Sequence, residues 1–190
     1  AAADIARRAT ERLRLPPHSV EAEQSLLGGL MLDQRAWDQI ADVVGAEDLY
    51  RADHRLIFDA IASLVERNQP PDAVTVSEHL QRLGQLEAAG GLPYIARLVE
   101  DTPSAANIRA YARIVRDHAM LRALIEIGGD IAASAHATEG LTASEIVDRA
   151  EQRVFEIAST RVEYTAEMQA QRDRKLAWRV RYLDSLAALF

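Results

Sequence analysis

Residues 15–32 read LPPHSVEAEQSLLGGLML: a rigid lead-in, a helix start and a pair of glycines inside an apolar run. Pro16 and Pro17 hold the chain out of the helical region. Ser19 is placed to cap the first free backbone N–H groups, and Glu21 and Glu23 sit where the positive end of a helix dipole favours anions. Gly28 and Gly29 each cost a helix about 1 kcal/mol relative to alanine, so two together imply that another backbone approaches closely there. The segment reads as a docking helix.

Working outward, apolar residues recur at helical spacing almost throughout, and no segment shows a strong strand alternation. Trp37, Ile40, Val43 and Val44 outline a second helix that stops at Gly45. Leu56, Ile57, Ile61, Leu64 and Val65 mark a third, which ends before Pro70 and Pro71. Thr75 with Glu78 has the form of a capping box, predicting a short helix through Val76, Leu80 and Leu83 to Gly84. Gly90 and Gly91 mark a turn before another short helix with Tyr94, Ile95 and Leu98.

The second half changes character. From Ser104, residues Ile108, Tyr111, Ile114, Val115, Leu121, Leu124, Ile125, Ile127 and Ile131 predict one long helix to about Ala135. After a loop at 138–141, Thr142 and Glu145 offer a capping box for a helix carrying Ile146, Val147, Val154, Phe155 and Ile157. These two helices should fold back as an antiparallel hairpin, whose apolar surface must meet the globular half or another chain. Gly128 and Gly129, inside its first helix, are read as a place for a neighbouring helix to approach rather than as a kink.

With 190 residues, 48% hydrophobic and only 5% aromatic, the chain fits one domain whose core is filled by Leu, Ile, Val and Ala. The absence of cysteine excludes disulfides and thiolate ligands. With no apolar stretch of bilayer length and no secretory hydrophobic core, a cytoplasmic location is expected. A net charge of −7, from 22 basic and 29 acidic residues, argues against strong direct nucleic-acid binding and points to protein partners.

Several blocks resemble, in one order, the amino-terminal domain of the DnaB family of bacterial replicative DNA helicases. They are the opening segment, MLDQRAWDQIADVV (31–44), DLYRADHRLIFDAI (48–61), LEAAGGLPYIARL (86–98), TPSAANIRAYARIVRDHAMLRALI (102–125) and EIVDRAEQRVFEIA (145–158). The resemblance implies a non-catalytic collar module that helps assemble a hexamer and docks primase, possible contact with a helicase loader, and hairpins pairing between subunits. It further implies that the region of Tyr94, Ile125 and Ile131 meets primase and the neighbouring subunit. Glu21, at the exposed start of the first helix, is a further candidate for a basic partner. Intramolecular packing is the competing role for the two isoleucines, and the helix dipole for Glu21.

Chemistry is hard to place on this sequence. A helicase motor needs a glycine-rich loop ending in Gly-Lys-Ser/Thr, yet Lys175 is the only lysine and no glycine follows Gly140. No cofactor is therefore expected, ATP and magnesium belonging to a motor domain not contained in these residues. His18, His54, His79, His118 and His136 lack metal-ligand spacing. Asp53, His54 and Asp59 read as cap and solvated face of the third helix, and Arg109, Arg113, Arg116 and Arg122 as a solvated face of the long one.

After Thr160 the resemblance stops. Residues 161–190 carry six basic and four acidic side chains, a net of +2. Leu176, Trp178, Val180, Leu183 and Phe190 lie on the broad apolar side of an amphipathic helix, read as a linker-like or fused docking segment. A stand-alone adaptor or inhibitor capturing helicase or loader through this helix is the alternative function. The expected architecture is all-α: an extension (1–14), a small globular helical bundle (15–100), a long antiparallel helical hairpin (101–160) and the C-terminal amphipathic helix (161–190).

Overall fold

The structure, a computed structural model, describes residues 15–137 and 140–157, all helix, turn and loop. The expected terminal docking helix with Leu176, Trp178, Val180, Leu183 and Phe190 lies outside the described residues, as does the 1–14 extension.

Helix α1 (Val20–Leu32) begins where Ser19 caps it, the side chain accepting from the Ala22 N–H at 3.2 Å. Eight of its residues are buried, Leu26, Leu27 and Leu30 almost completely, and it forms the hub of the bundle. That placement explains the glycines. A Cβ on Gly28 would lie 2.2 Å from both the Leu98 carbonyl oxygen and Thr102 Oγ1, and one on Gly29 would lie 2.7 Å from Ile108 Cδ1. The predicted close approach is made by the end of one later helix and the start of another.

Trp37, Ile40, Val43 and Val44 do not form an α-helix. Residues Gln34–Gln39 make a 3₁₀ helix capped by Asp33, and the chain continues through turns to a second 3₁₀ segment, Ala46–Asp48. The Ile40 N–H bonds the Trp37 carbonyl and the Val43 N–H the Ile40 carbonyl, at 3.0 and 2.7 Å. Positions 37, 40 and 43 recur every third residue, which suits three residues per turn, and β-branched Ile40, Val43 and Val44 weaken an α-helical alternative.

Helix α2 (Ala52–Glu66) ends as expected ahead of Pro70: Asn68 takes a left-handed φ of 57° and the Gln69 N–H reaches back to the Leu64 carbonyl. Helix α3 (Ala73–Arg82) starts earlier than Thr75 implies. Asp72 is its N-cap, accepting from the N–H groups of Val74 and Thr75 at 2.9 Å, while the Asp72 N–H donates to Thr75 Oγ1. Thr75 is thus the third-position partner of the capping box and not its cap; a carboxylate accepting two bonds after two prolines is the stronger start.

Helix α4 (Gly91–Glu100) follows the Gly90 turn, and α5 (Ile108–His136) is the long helix anticipated. Ile108, Ala112 and Val115 of α5 join the bundle core with Ile57, Ile61, Leu80 and Ile95, after which the helix projects outward. The last helix among the described residues, α6 (143–157), folds back along it, with Arg153 reaching Asp130. Its capping box forms as predicted: the Thr142 N–H donates to Glu145 Oε2 at 2.7 Å and the Glu145 N–H to Thr142 Oγ1 at 3.3 Å. No part of the described chain approaches Gly128 or Gly129, and α5 runs through them without a break.

Candidate functional site

Two features emerge where the bundle meets the hairpin: a buried polar network that stiffens the bundle, and an uncovered apolar surface on the hairpin.

His54 is not on a solvated face; it is fully buried, and this corrects the reading of the Asp53–His54–Asp59 cluster. Its Nδ1 lies 2.6 Å from Glu23 Oε2 and its Nε2 2.6 Å from the Tyr94 hydroxyl, so the Nδ1–H tautomer satisfies both contacts. The Tyr50 N–H also donates to Glu23, at 2.6 Å, and Gln24 Nε2 to the Tyr94 hydroxyl at 3.3 Å. Burial pushes the Glu23 carboxyl up, but the bonds from His54 and the Tyr50 N–H outweigh it and hold the group below the usual carboxylate value. Glu23 is therefore a buried anion joining α1, α2 and α4, beyond any service to the helix dipole. No local signal marks it, because Glu23 stands among Glu21, Gln24 and Ser25 in the polar first half of the helix and its partners come from distant segments.

Two of the four arginines on α5 also depart from a solvated face. Arg116 Nη1 donates to Asp48 Oδ1 at 2.6 Å. Arg122 donates to the Pro17 carbonyl at 2.8 Å and to the Asp48 carbonyl, with its guanidinium 5.8 Å from the Tyr50 ring centroid. Burial raises the Asp48 carboxyl, the Gly45 N–H and Arg116 acting the other way, and burial lowers Arg122. Arg109 and Arg113 are exposed.

On the hairpin, Arg153 pairs with Asp130 at 2.7 Å across the two helices, and Ile131, Ile146 and Ala150 line the gap between them. Large apolar side chains are exposed on both helices: Leu121, Leu124 and Ile125 on α5, and Val147, Val154 and Phe155 on α6, Phe155 by 70% and Ile125 by 62%.

The candidate residues thus fall in different places. Ile125 lies on the uncovered surface and Ile131, half-buried, between the hairpin helices. Glu21 is exposed at the start of α1, within 3.4 Å of the Ser19 hydroxyl, and Tyr94 is half-buried with its hydroxyl on His54. The structure does not gather the four into one patch. Among the described residues, no group of acidic and histidine side chains could hold a metal ion, and no helix is long and apolar enough to cross a membrane.

The family model described as DnaB-like helicase N terminal domain matches residues 15–117. The chain is 42% identical over 159 residues to the replicative DNA helicase DnaB of Pasteurella multocida, covering 84% of this chain and 34% of that protein. It is 44% identical over 152 residues to the corresponding helicase of Haemophilus influenzae, covering 80% and 32%. It thus spans about a third of the length of these relatives. The crystal structure of the N-terminal domain of DnaB helicase from Mycobacterium tuberculosis superposes with a TM-score of 0.72 at 40% identity, covering 75% of this chain and 99% of that one. A DnaB-like replicative helicase whose structure was described with its interactions with primase shares the fold at 20% identity, with a TM-score of 0.59 over 72% of this chain and 31% of that one. With the bundle and projecting hairpin in place, these likenesses are decisive: the chain belongs to the DnaB-like helicase N-terminal domain family.

Proposed function

We propose that this chain is the collar module of a replicative helicase, building the oligomer through its hairpin and docking primase beside it. The observation that carries this reading is the hairpin surface. Seven large apolar side chains on these two helices stay exposed, Ile114 with the six already named, and each isoleucine, leucine, valine or phenylalanine that a partner covers contributes about 1.5–3 kcal/mol. A second copy presenting the same surface is a self-complementary occupant, and dimers of this kind would close into a hexameric ring. The relative described with primase supports the second half of the proposal. Ile125 and Ile131 are assigned to the subunit contact, and Tyr94 and Glu21 to the primase side. Contact with a helicase loader belongs to the same proposal, whereas strong direct nucleic-acid binding does not, given the net charge of −7. ATP and magnesium would be held by the motor domain, so this chain would act on unwinding only by favouring one collar arrangement over another.

Light scattering over a concentration series, with and without the organism's primase, tests this. The parent chain should self-associate and bind primase, while Ile125→Asp combined with Phe155→Asp should be monomeric with unchanged helix content. A parent chain that is strictly monomeric at high concentration and indifferent to primase refutes the proposal.

A further inference from the structure

Arg122 is the last side chain of α5 with a hydrogen bond to the bundle among the described residues; the next polar tie along the helix, Asp130 to Arg153, lies within the hairpin. What Arg122 holds is unusual for a guanidinium. Its two bonds go to main-chain carbonyls, and these belong to segments distant in sequence: Pro17 in the lead-in and Asp48 before α2. Ser19 is held by α1, which it caps, whereas the residues ahead of it have few polar ties. Pro16 and Pro17 have no N–H to donate, Leu15 is 73% exposed, and His18 places its ring 4.2 Å from that of Tyr50, nearly parallel at 17°. Tyr50 in turn lies under the Arg122 guanidinium. One carbonyl and one imidazole ring therefore link the lead-in to the stem of the hairpin. Beyond that stem, Gly128 and Gly129 stand in open space, the two residues of α5 with the least intrinsic hold on a helical conformation.

We propose that residues 15–18 are a latch on the hairpin. While they are seated, Arg122 is fixed between two carbonyls and the Tyr50 ring and sets the angle at which the hairpin leaves the bundle. When they lift away, Arg122 loses the Pro17 carbonyl and the support of the His18–Tyr50 stack, and the hairpin swings, yielding first at Gly128–Gly129. Coupling through a shared set of contacts is reciprocal, so loosening either end must loosen the other.

The chain has no cysteine, so spin labels can be placed on Glu66→Cys in α2 and Ser144→Cys in α6 without removing a native thiol. Labelled full-length chain is diluted into excess unlabelled chain, so that only distances within one molecule are read. The parent should give a narrow distance distribution. Arg122→Ala should broaden it at least twofold. His18→Ala, which touches no hairpin residue, should broaden it as well. An unchanged width in His18→Ala overturns the latch, and so does broadening accompanied by lost amide protection in α1 and α2, because the bundle itself would then have loosened.

Discussion

Replacing Gly28 by alanine sets two effects of opposite sign against each other, and the structure decides which prevails. On helix propensity alone the change stabilises α1 by about 1 kcal/mol. The new Cβ, however, would sit 2.2 Å from the Leu98 carbonyl oxygen and from Thr102 Oγ1, and 2.9 Å from Thr102 Cβ. The first of these is backbone and cannot turn aside. Separating α1 from the end of α4 costs about 1–3 kcal/mol of overpacking, and the displaced Thr102 hydroxyl gives up its 2.8 Å bond to the Leu98 carbonyl, worth about 1 kcal/mol. The net expectation is destabilisation by about 1–3 kcal/mol. Urea denaturation followed by helix circular dichroism at fixed chain concentration should show a lower midpoint with an unchanged slope. Gly128→Ala is the matched control: the same substitution in open space should raise stability by up to about 1 kcal/mol. A Gly28→Ala midpoint equal to or above the parent's, or a loss in Gly128→Ala as large as in Gly28→Ala, refutes the reasoning.

Other expectations follow from the buried network and the caps. His54→Ala leaves the Glu23 carboxylate buried without its ring partner and should cost about 3–5 kcal/mol in the same denaturation experiment, against about 1–2 kcal/mol for Tyr94→Phe, which removes the hydroxyl's bonds to His54 Nε2 and Gln24 Nε2. Because the folded state holds Glu23 below its ordinary value of 4.5, its contribution is complete above that pH and is lost as pH falls through the lower folded value. Glu23→Gln should flatten that acid limb of a stability-against-pH curve. His79 is buried with Nδ1 unpartnered, and burial, with Arg67 and Arg82 adding to it, lowers it below its ordinary 6.5. Stability should therefore fall as pH drops below that value towards the folded one, and His79→Gln should remove this component. Asp72→Ala should cost about 1 kcal/mol through the lost cap of α3, seen as a lower melting temperature.

Local chemistry made much of this molecule readable in its sequence. Helix starts at Ser19 and Thr142 and stops after Glu66 and Arg82 depend on neighbours within five residues, so the caps, prolines and glycines announce them. Gly28 and Gly29 likewise pointed to a close approach, and here it is met, whereas the same reading of Gly128 and Gly129 is not: apart from the helix's own backbone, nothing in the described chain lies within 4 Å of a Cβ at either. Which backbone approaches was a different matter, for Leu98, Thr102 and Ile108 come to α1 only when the bundle is assembled. The same holds for side chains whose partners lie far along the chain. His54 finds Glu23 from 31 residues away and Tyr94 from 40, and Arg122 finds Pro17 from 105. Charge and helical spacing predict solvent for such groups, since burying an ion is costly unless partners arrive, and the arrival of partners is a property of the fold. The hairpin was legible as two amphipathic helices from periodicity; only their projection beyond the bundle left Ile125 and Phe155 on an open surface and Ile131 half-buried at the gap between them.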